Sequence, residues 1–484
     1  MNKDSLINDA FSKLADISES IVFYSIDLNL VNAAGDSIKL PLILLWLVAA
    51  SVFFTFYFGF INIRYFKHSV AVSLNRYPEP NADGEISSFQ ALAASLSGTV
   101  GLGNIAGVAV AITIGGPGAA LWMAIMGMFS MSTKFIEVAL GVKYRHHPEP
   151  ENRKNISGGP MYYLRDALNN RGMPYLGKIL ATLFAVACIG GAIGGGNMFQ
   201  ANQSFAQVLN VTGGDESWFY GKGWFFGLIM ATMVAVVIIG GIKSIASAAS
   251  RIVPFMAGVY LLIGFVVIAI NFSSLPDALM IIVTSAFSLQ AGIGGFVGAL
   301  LAGVQRATFS NEAGLGSSAI IHATAKTNIP VKQGIAGMMG SFVDTVIICM
   351  MTALIIVISG AYKTTDGIAG VELTSAAMGS AVSWFPYVLS FCVVLFAYST
   401  LITWYYYGEK CLAFLFGEKR CVTLSFKLIF CSFVVVGAAA ELGNVIRFSD
   451  AMMFSLAIPN IIGLYILAPE IKKDLKEYLQ TLKN

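Results

Sequence analysis

Long uncharged runs alternate with short charged connectors along the whole chain. Between Lys39 and Arg64 lie 24 residues without a charged side chain, between Glu85 and Lys134 48, between Lys178 and Asp215 36, and between Lys222 and Lys243 20. Further on, Arg251 to Asp277 encloses 25, Asp277 to Arg306 28, Glu372 to Glu409 36 and Asp450 to Glu470 19. The 48-residue run is divided at Gly115-Gly116-Pro117-Gly118, a turn signature. Two further apolar stretches carry one charge each, 330–359 with Asp344 and 421–441 with Lys427. About 20 apolar residues cross a bilayer as a helix. The pattern therefore predicts eleven transmembrane helices. The runs are continuous rather than alternating, which excludes a β-barrel.

Composition agrees. Of 484 residues 56% are hydrophobic and only 12% charged, about half the usual charged share. A soluble enzyme of this length could not cover its surface, and disorder or a coiled coil needs more polar sequence. A net charge of +3 gives no reason to expect nucleic acid. The six cysteines lie in or beside apolar runs without a CxxC, and read as small buried residues.

With eleven spans, the connectors after the odd-numbered ones gather 22 Lys and Arg and the other side 6. The positive-inside rule puts the first side in the cytoplasm, with the C-terminus inside and the N-terminus outside. A bacterial inner membrane is the expected location. The expected organisation is an external tail over 1–39, an extra helix over 40–66, five-helix halves over 86–271 and 275–468, and a cytoplasmic tail over 469–484. No signal peptide opens the chain. Ile7, Phe11, Leu14 and Ile21 fall roughly on one helical face, either an interfacial helix or a packing surface.

Two spans carry glycine and small polar residues at mid-depth. One holds Ser97-Gly98-Thr99-Val100-Gly101-Leu102-Gly103-Asn104, the other Phe309-Ser310-Asn311-Glu312-Ala313-Gly314-Leu315-Gly316-Ser317-Ser318. Each glycine costs a helix interior about 1 kcal/mol relative to alanine. Serine, threonine and asparagine compete for the backbone. Close helix packing through Gly103-x-x-x-Gly107 explains one such segment. It does not explain two, 213 residues apart, each opening a block of five spans. An odd repeat length inverts the second copy, and paired broken helices in inverted halves point to a secondary transporter's binding site. A dinucleotide fold is weakly supported, since Gly101-x-Gly103-x-x-x-Gly107 has the wrong spacing and no flanking βαβ pattern.

Seven segments resemble the alanine or glycine:cation symporter family. They are Gly101-Leu102-Gly103-Asn104-Ile105-Ala106-Gly107, Gly115-Gly116-Pro117-Gly118-Ala119, Lys134-Phe135-Ile136-Glu137, Gly158-Gly159-Pro160-Met161-Tyr162-Tyr163, Gly196-Asn197-Met198-Phe199-Gln200-Ala201-Asn202, Phe309–Ser317 and Tyr405-Tyr406-Tyr407-Gly408-Glu409-Lys410. The resemblance spans roughly 40–470. It implies an all-α, leucine-transporter-like five-plus-five inverted repeat with one extra N-terminal helix. It also implies uptake of small neutral amino acids with Na⁺ or sometimes H⁺. No cofactor, nucleic acid or obligate protein partner is implied; the partners are substrate, Na⁺ and lipid.

An amino acid's carboxylate suits the amides of Leu102 and Gly103 at a helix N-terminus. Its ammonium suits Ser310, Asn311 and backbone carbonyls. Thr99, Gly101 and Gly314 belong to the same expected lining. Gln200 resembles the family's substrate-contacting glutamine, although it and Asn202 can equally bond helix to helix. Trp404 walls the pocket or is plain core. Ser399 and Thr400 stand at the depth where that fold holds sodium, and with the carbonyls of Ser97, Val100 and Phe396 would supply five oxygens. A Ser-Thr pair can instead bond back to its own helix. Arg306, Glu312 and Asp344, each costly at membrane depth, are expected to pair with each other or to gate one side. Lys134 and Glu137 read as a local pair. A membrane enzyme would need a nucleophile–base pair or a metal motif such as HExxH, and neither is present. A channel would need a selectivity ring. Proton coupling through Glu312 or Asp344, and a preference for glutamine, are the nearest alternatives.

Overall fold

Residues 3–31, 37–79, 81–147, 156–288, 292–364 and 370–482 are described by a computed structural model, and they are mostly helical. Among them, seven helices are long and apolar enough to cross a membrane: Ala119–Lys143, Pro174–Val211, Gly241–Ile270, Pro330–Ser359, Phe385–Phe416, Arg420–Ala439 and Leu442–Thr481. Ser88–Thr99 and Leu102–Gly115 form an eighth, bent by 60°. Shorter apolar helices occupy Leu42–Tyr57, Gly223–Ile238 and Phe272–Ala286. A second interrupted pair runs Gly292–Asn311 and Ser317–His322. The protein is thus a multi-pass helical membrane protein.

Three boundaries differ from those expected. The run between Asp277 and Arg306 is not one span: a helix ends at Ala286, where Trp122 Nε1 donates to the Ala286 carbonyl at 3.1 Å, and a new helix starts at Gly292. The run after Glu372 divides into Val371–Ala381 and Phe385–Phe416, with Pro386 in the first turn of the second, where its missing N–H costs nothing. Asp450 does not mark the start of the last span. It lies inside helix 442–455, because its charge is matched there.

Hydropathy gave no hint of the hairpin Ser25–Val31 and Ser37–Pro41, antiparallel with Asp27 opposite Lys39. The helix before it, Lys3–Val22, packs on Leu442–Ser455. Asp16 pairs with Arg447, and the Phe23 and Phe454 rings lie 5.3 Å apart. Its buried stripe is Ala15, Ser18 and Val22, whereas Ile21 points outward; the side chains of Ile7, Phe11 and Leu14 lie outside the described residues.

Two helices organise the interior. Helix 119–143 touches 42–57, 292–311, 317–322 and 330–337, and helix 385–416 touches 88–99, 174–193, 199–211 and 241–270. Two spans contain π-helical turns, Gly194–Met198 and Phe342–Cys349. Such turns insert an extra residue and leave carbonyls for side chains. The second turn contacts the break in span 88–115, where Asn104 bonds Asp344, and Gln200, just beyond the first turn, bonds Leu102. Of the cysteines, Cys188, Cys349, Cys392 and Cys411 are buried, but Cys421 is exposed.

Candidate functional site

The first break starts where helix 88–99 ends, at Val100 (ψ 85°), and Gly101 is fully extended (φ −136°, ψ −152°). The freed amides are taken by side chains. Asn104 Oδ1 accepts from the Gly101 amide at 2.8 Å, and Gln200 Oε1 accepts from the Leu102 amide at 3.0 Å. Gln200 Nε2 donates to the Gly195 carbonyl at 2.9 Å, inside the π turn. A methyl at Gly101 would lie 2.5 Å from Thr400 Oγ1 and 3.0 Å from Gln200 Oε1. Backbone approach this close is open to glycine alone. Gly101 is therefore where the break, Gln200 and Thr400 converge.

The five proposed sodium ligands lie beside this point. Thr400 Oγ1 reaches the Ser97 carbonyl at 3.1 Å and Ser399 Oγ reaches it at 3.4 Å. Ser97 Oγ donates to the Ser399 carbonyl at 2.8 Å. Ser399 Oγ also bonds back to Phe396 O at 3.0 Å, so cross-helix and same-helix contacts coexist. Val100 is fully buried at the end of helix 88–99. Thr99 Oγ1, also buried, has no hydrogen-bond partner among the described residues, leaving its capacity for a ligand.

Ser310 and Asn311 do not turn toward Gln200. Ser310 Oγ donates to Asp344 Oδ2 at 2.8 Å, and Asn104 Nδ2 donates to Asp344 Oδ1 at 2.7 Å. Thr345 Oγ1 adds a third donor at 3.0 Å, and Cys349 Sγ lies 3.3 Å from Asn104 Nδ2. Asn311 Nδ2 bonds Thr345 Oγ1 and Ser130 Oγ, while its Oδ1 accepts from Ala313 N at 2.9 Å. A buried carboxylate must be hydrogen-bonded, and Asp344 claims the hydroxyl the substrate ammonium was expected to use. Gly103 stays close, since a methyl there would lie 3.4 Å from the Ser310 Cα. Gly314, with φ 91°, belongs to the far side of the second break, facing Leu47 and Ile461.

Glu312 and Trp404 close the second break. Glu312 adopts a left-handed conformation, φ 57°. Its carboxylate accepts from Trp404 Nε1 at 3.0 Å and from Ser317 Oγ. Trp404 also packs on the π turn so tightly that a methyl at Gly196 would overlap its ring. The expected pairing of Arg306 with Glu312 or Asp344 is corrected: Arg306 makes a bidentate pair with Asp450, which Gln305 Nε2 joins at 2.9 Å. Both groups are 5% exposed, and a planar guanidinium matches a carboxylate better than separate charges would. Lys134 and Glu137 are corrected too. Lys134 Nζ donates to Asn311 O at 2.8 Å and to Ser318 Oγ; Glu137 Oε1 accepts from Gly314 N at 2.8 Å and Asn460 Nδ2 at 2.7 Å. Asn202 bonds the carbonyls of Gly437 and Ala440, a helix-to-helix role.

Sequence reading missed Asn104, Cys349 and Asn460. Asn104 had a signal, a short amide directly after Gly-Leu-Gly; the other two had none.

Comparison with known proteins matches these features to one group. The chain fits the profile of the sodium:alanine symporter family over residues 25–484. The sodium/alanine symporter AgcS of Methanococcus maripaludis is 38% identical over 461 residues, covering 94% of this chain and 98% of that one. The probable sodium/glutamine symporter GlnT of Bacillus subtilis is 35% identical over 458 residues, covering 94% and 91%. In fold, the chain is similar to MhsT, solved in complex with L-phenylalanine, with a TM-score of 0.56 at 14% identity, over 79% of this chain and 90% of that one. With a family profile over residues 25–484 and relatives that are symporters along nearly the whole length, the chain belongs to the sodium:alanine symporter family, whose members are transporters rather than enzymes.

Proposed function

We propose that the protein is a secondary symporter that imports small neutral amino acids, alanine or glycine, together with Na⁺ by alternating access. The observation that carries this reading is the convergence at Gly101 of the break, the Gln200 amide and the Thr400 hydroxyl. In this reading the substrate carboxylate takes the Leu102 amide, Gln200 turns to donate its side-chain amide to that carboxylate, and Thr99, Gly103 and Trp404 line its place. Na⁺ takes the oxygens of Ser97, Val100, Phe396, Ser399 and Thr400. Ser310, Asn311 and Gly314 shape the second break rather than bind the substrate directly. Arg306 and Asp450 form an ion pair that opens and closes on one side.

The topology in this reading has eleven spans: one extra helix over 40–66 and inverted halves over 86–271 and 275–468. The N-terminal tail over 1–39 is external, the tail over 469–484 cytoplasmic, and the membrane a bacterial inner membrane. Sodium suffices energetically. One charge moved through 100 mV gives ~2.3 kcal/mol. A tenfold gradient adds ~1.4 kcal/mol, together enough for an accumulation on the order of 500-fold.

The test is uptake by proteoliposomes with each of the twenty amino acids as competitor, under imposed Na⁺ or H⁺ gradients. Saturable alanine or glycine uptake that collapses without Na⁺ is the expected result. Uptake driven by H⁺ alone overturns the sodium reading and favours the second one, in which the buried carboxylates Glu312 and Asp344 carry protons. Preferential competition by glutamine overturns the substrate.

A further inference from the structure

Away from the breaks, helix 42–57 ends in a sharp reversal. Gly59 and Phe60 both take positive φ, 63° and 57°, which turns the chain back into the short helix Ile61–Arg64. The reversal sets Tyr57 and Tyr65 beside the C-terminal helix Ala457–Thr481 and opens a groove of about 580 Å³ between them. Its floor is apolar and aromatic, with Phe58 and Leu475 buried. Its rim carries three exposed cations, Arg64, Lys472 and Lys476.

Among the described residues these cations have no carboxylate partner. Lys472 Nζ stands 4.1 Å from the centre of the Tyr57 ring, and Arg64 Nη1 makes a long 3.4 Å bond to Gly59 O. None of the three forms an ion pair among the described residues. Of the carboxylates on the same helix, Glu470 and Asp474 are committed to Lys143 and Arg171 instead, and the exposed Glu477 makes no ion pair among the described residues. Three positive charges thus surround an aromatic wall at the point where an apolar helix gives way to polar chain. Tyrosines favour the head-group level of a bilayer, and clustered juxtamembrane cations attract anionic lipid.

We propose that this groove binds one anionic phospholipid, its head group between Arg64, Lys472 and Lys476 and the upper part of an acyl chain against Phe56 and Phe58. The proposal rests on helix 42–57 crossing the membrane. It does not depend on which amino acid or ion is carried, so its failure would leave the transport reading untouched.

The experiment is native mass spectrometry of the full-length protein, titrated separately with phosphatidylglycerol, phosphatidylcholine and inorganic phosphate. Wild type is expected to retain one phosphatidylglycerol. Arg64→Gln/Lys472→Gln/Lys476→Gln should bind it on the order of tenfold more weakly or worse, since each cation near the surface contributes separately. Phosphatidylcholine should bind both proteins equally weakly. Because all three side chains are exposed, the variant should keep the wild-type Tm in phosphatidylcholine; the single change Lys476→Gln, with a smaller loss, covers the case in which it does not. Equal retention of phosphatidylglycerol by wild type and both variants overturns the site. So does equal retention of phosphatidylcholine by wild type. Displacement of the lipid by millimolar inorganic phosphate would make it a site for a soluble anion and overturn the lipid assignment.

Discussion

Lys134 and Glu137 stand one turn apart on the same helix, yet each bonds a different end of the second break. Lys134 holds the carbonyl of Asn311, where helix 292–311 ends, and Glu137 holds the amide of Gly314 beyond it. A cation at a helix C-terminus and an anion on free amides each meet the local dipole favourably. Asn460 ties the arrangement to helix 457–481 by donating to both Glu137 and the Gly314 carbonyl. Removing the ammonium in Lys134→Met orphans two buried acceptors at ~1–3 kcal/mol each. Expected outcomes are a lower Tm of the purified protein and loss of substrate binding. A variant with wild-type Tm and uptake would show that the break holds its shape without the clamp.

Gln200→Ala frees the Leu102 amide and the Gly195 carbonyl together. A hydrogen bond to a charged group is worth ~1.5–3 kcal/mol, so the substrate KM should rise at least several-fold. An unchanged KM in a well-expressed variant removes Gln200 from the site.

Ser399→Ala with Thr400→Val takes two of the five proposed oxygens from Na⁺. Apparent Na⁺ affinity should fall much more than substrate affinity measured at saturating Na⁺. Linkage is reciprocal, so substrate binding should weaken at low Na⁺ and recover at high Na⁺. Binding to purified protein across a Na⁺ titration reads this directly. Superimposable titrations would mean that the hydroxyls only bond their own helix, as Ser399 Oγ already does in part.

Arg306→Met leaves Asp450 buried without its partner, and Asp450→Leu does the same to Arg306. Breaking a buried pair typically costs ~3–5 kcal/mol, whereas replacing both partners costs far less. The double variant should therefore unfold at a higher temperature than either single variant while transporting less than wild type. If the double variant transports normally, the pair is structural and gates nothing.

The long apolar helices and both breaks were legible because membrane helices write their limits in charge and their weak points in glycine, although a charge-free run can still hold more than one helix, as between Asp277 and Arg306. That Ser399 and Thr400 reach the Ser97 carbonyl was legible for a similar reason: two adjacent hydroxyls in an apolar helix face something polar. Partner choice was not. Arg306 was equally compatible with Glu312, Asp344 or Asp450 from sequence alone, and only the approach of helices 292–311 and 442–455 decides it. Lys134 and Glu137 showed local spacing that favours an ion pair, but the unsatisfied backbone of a distant segment outcompetes that pair. The hairpin over 25–41 was hidden because a two-stranded ribbon leaves a hydropathy pattern too short to read beside long helices.

The π turn at Gly194–Met198 makes the position of Gln200 a matter of counting. Each residue advances a helix by about 100°, and a π turn holds one residue more than an α-helix needs. Deleting a single glycine from this stretch would let the backbone relax into regular helix without changing any side chain that contacts Leu102. Because the π turn absorbs its extra residue locally, the helix on either side would keep its register, but the widened turn that leaves the Gly195 carbonyl to Gln200 Nε2 would be lost. Length, as much as residue identity, is encoded in that run of glycines: one residue fewer would take away the acceptor that orients the Gln200 amide without altering a single side chain.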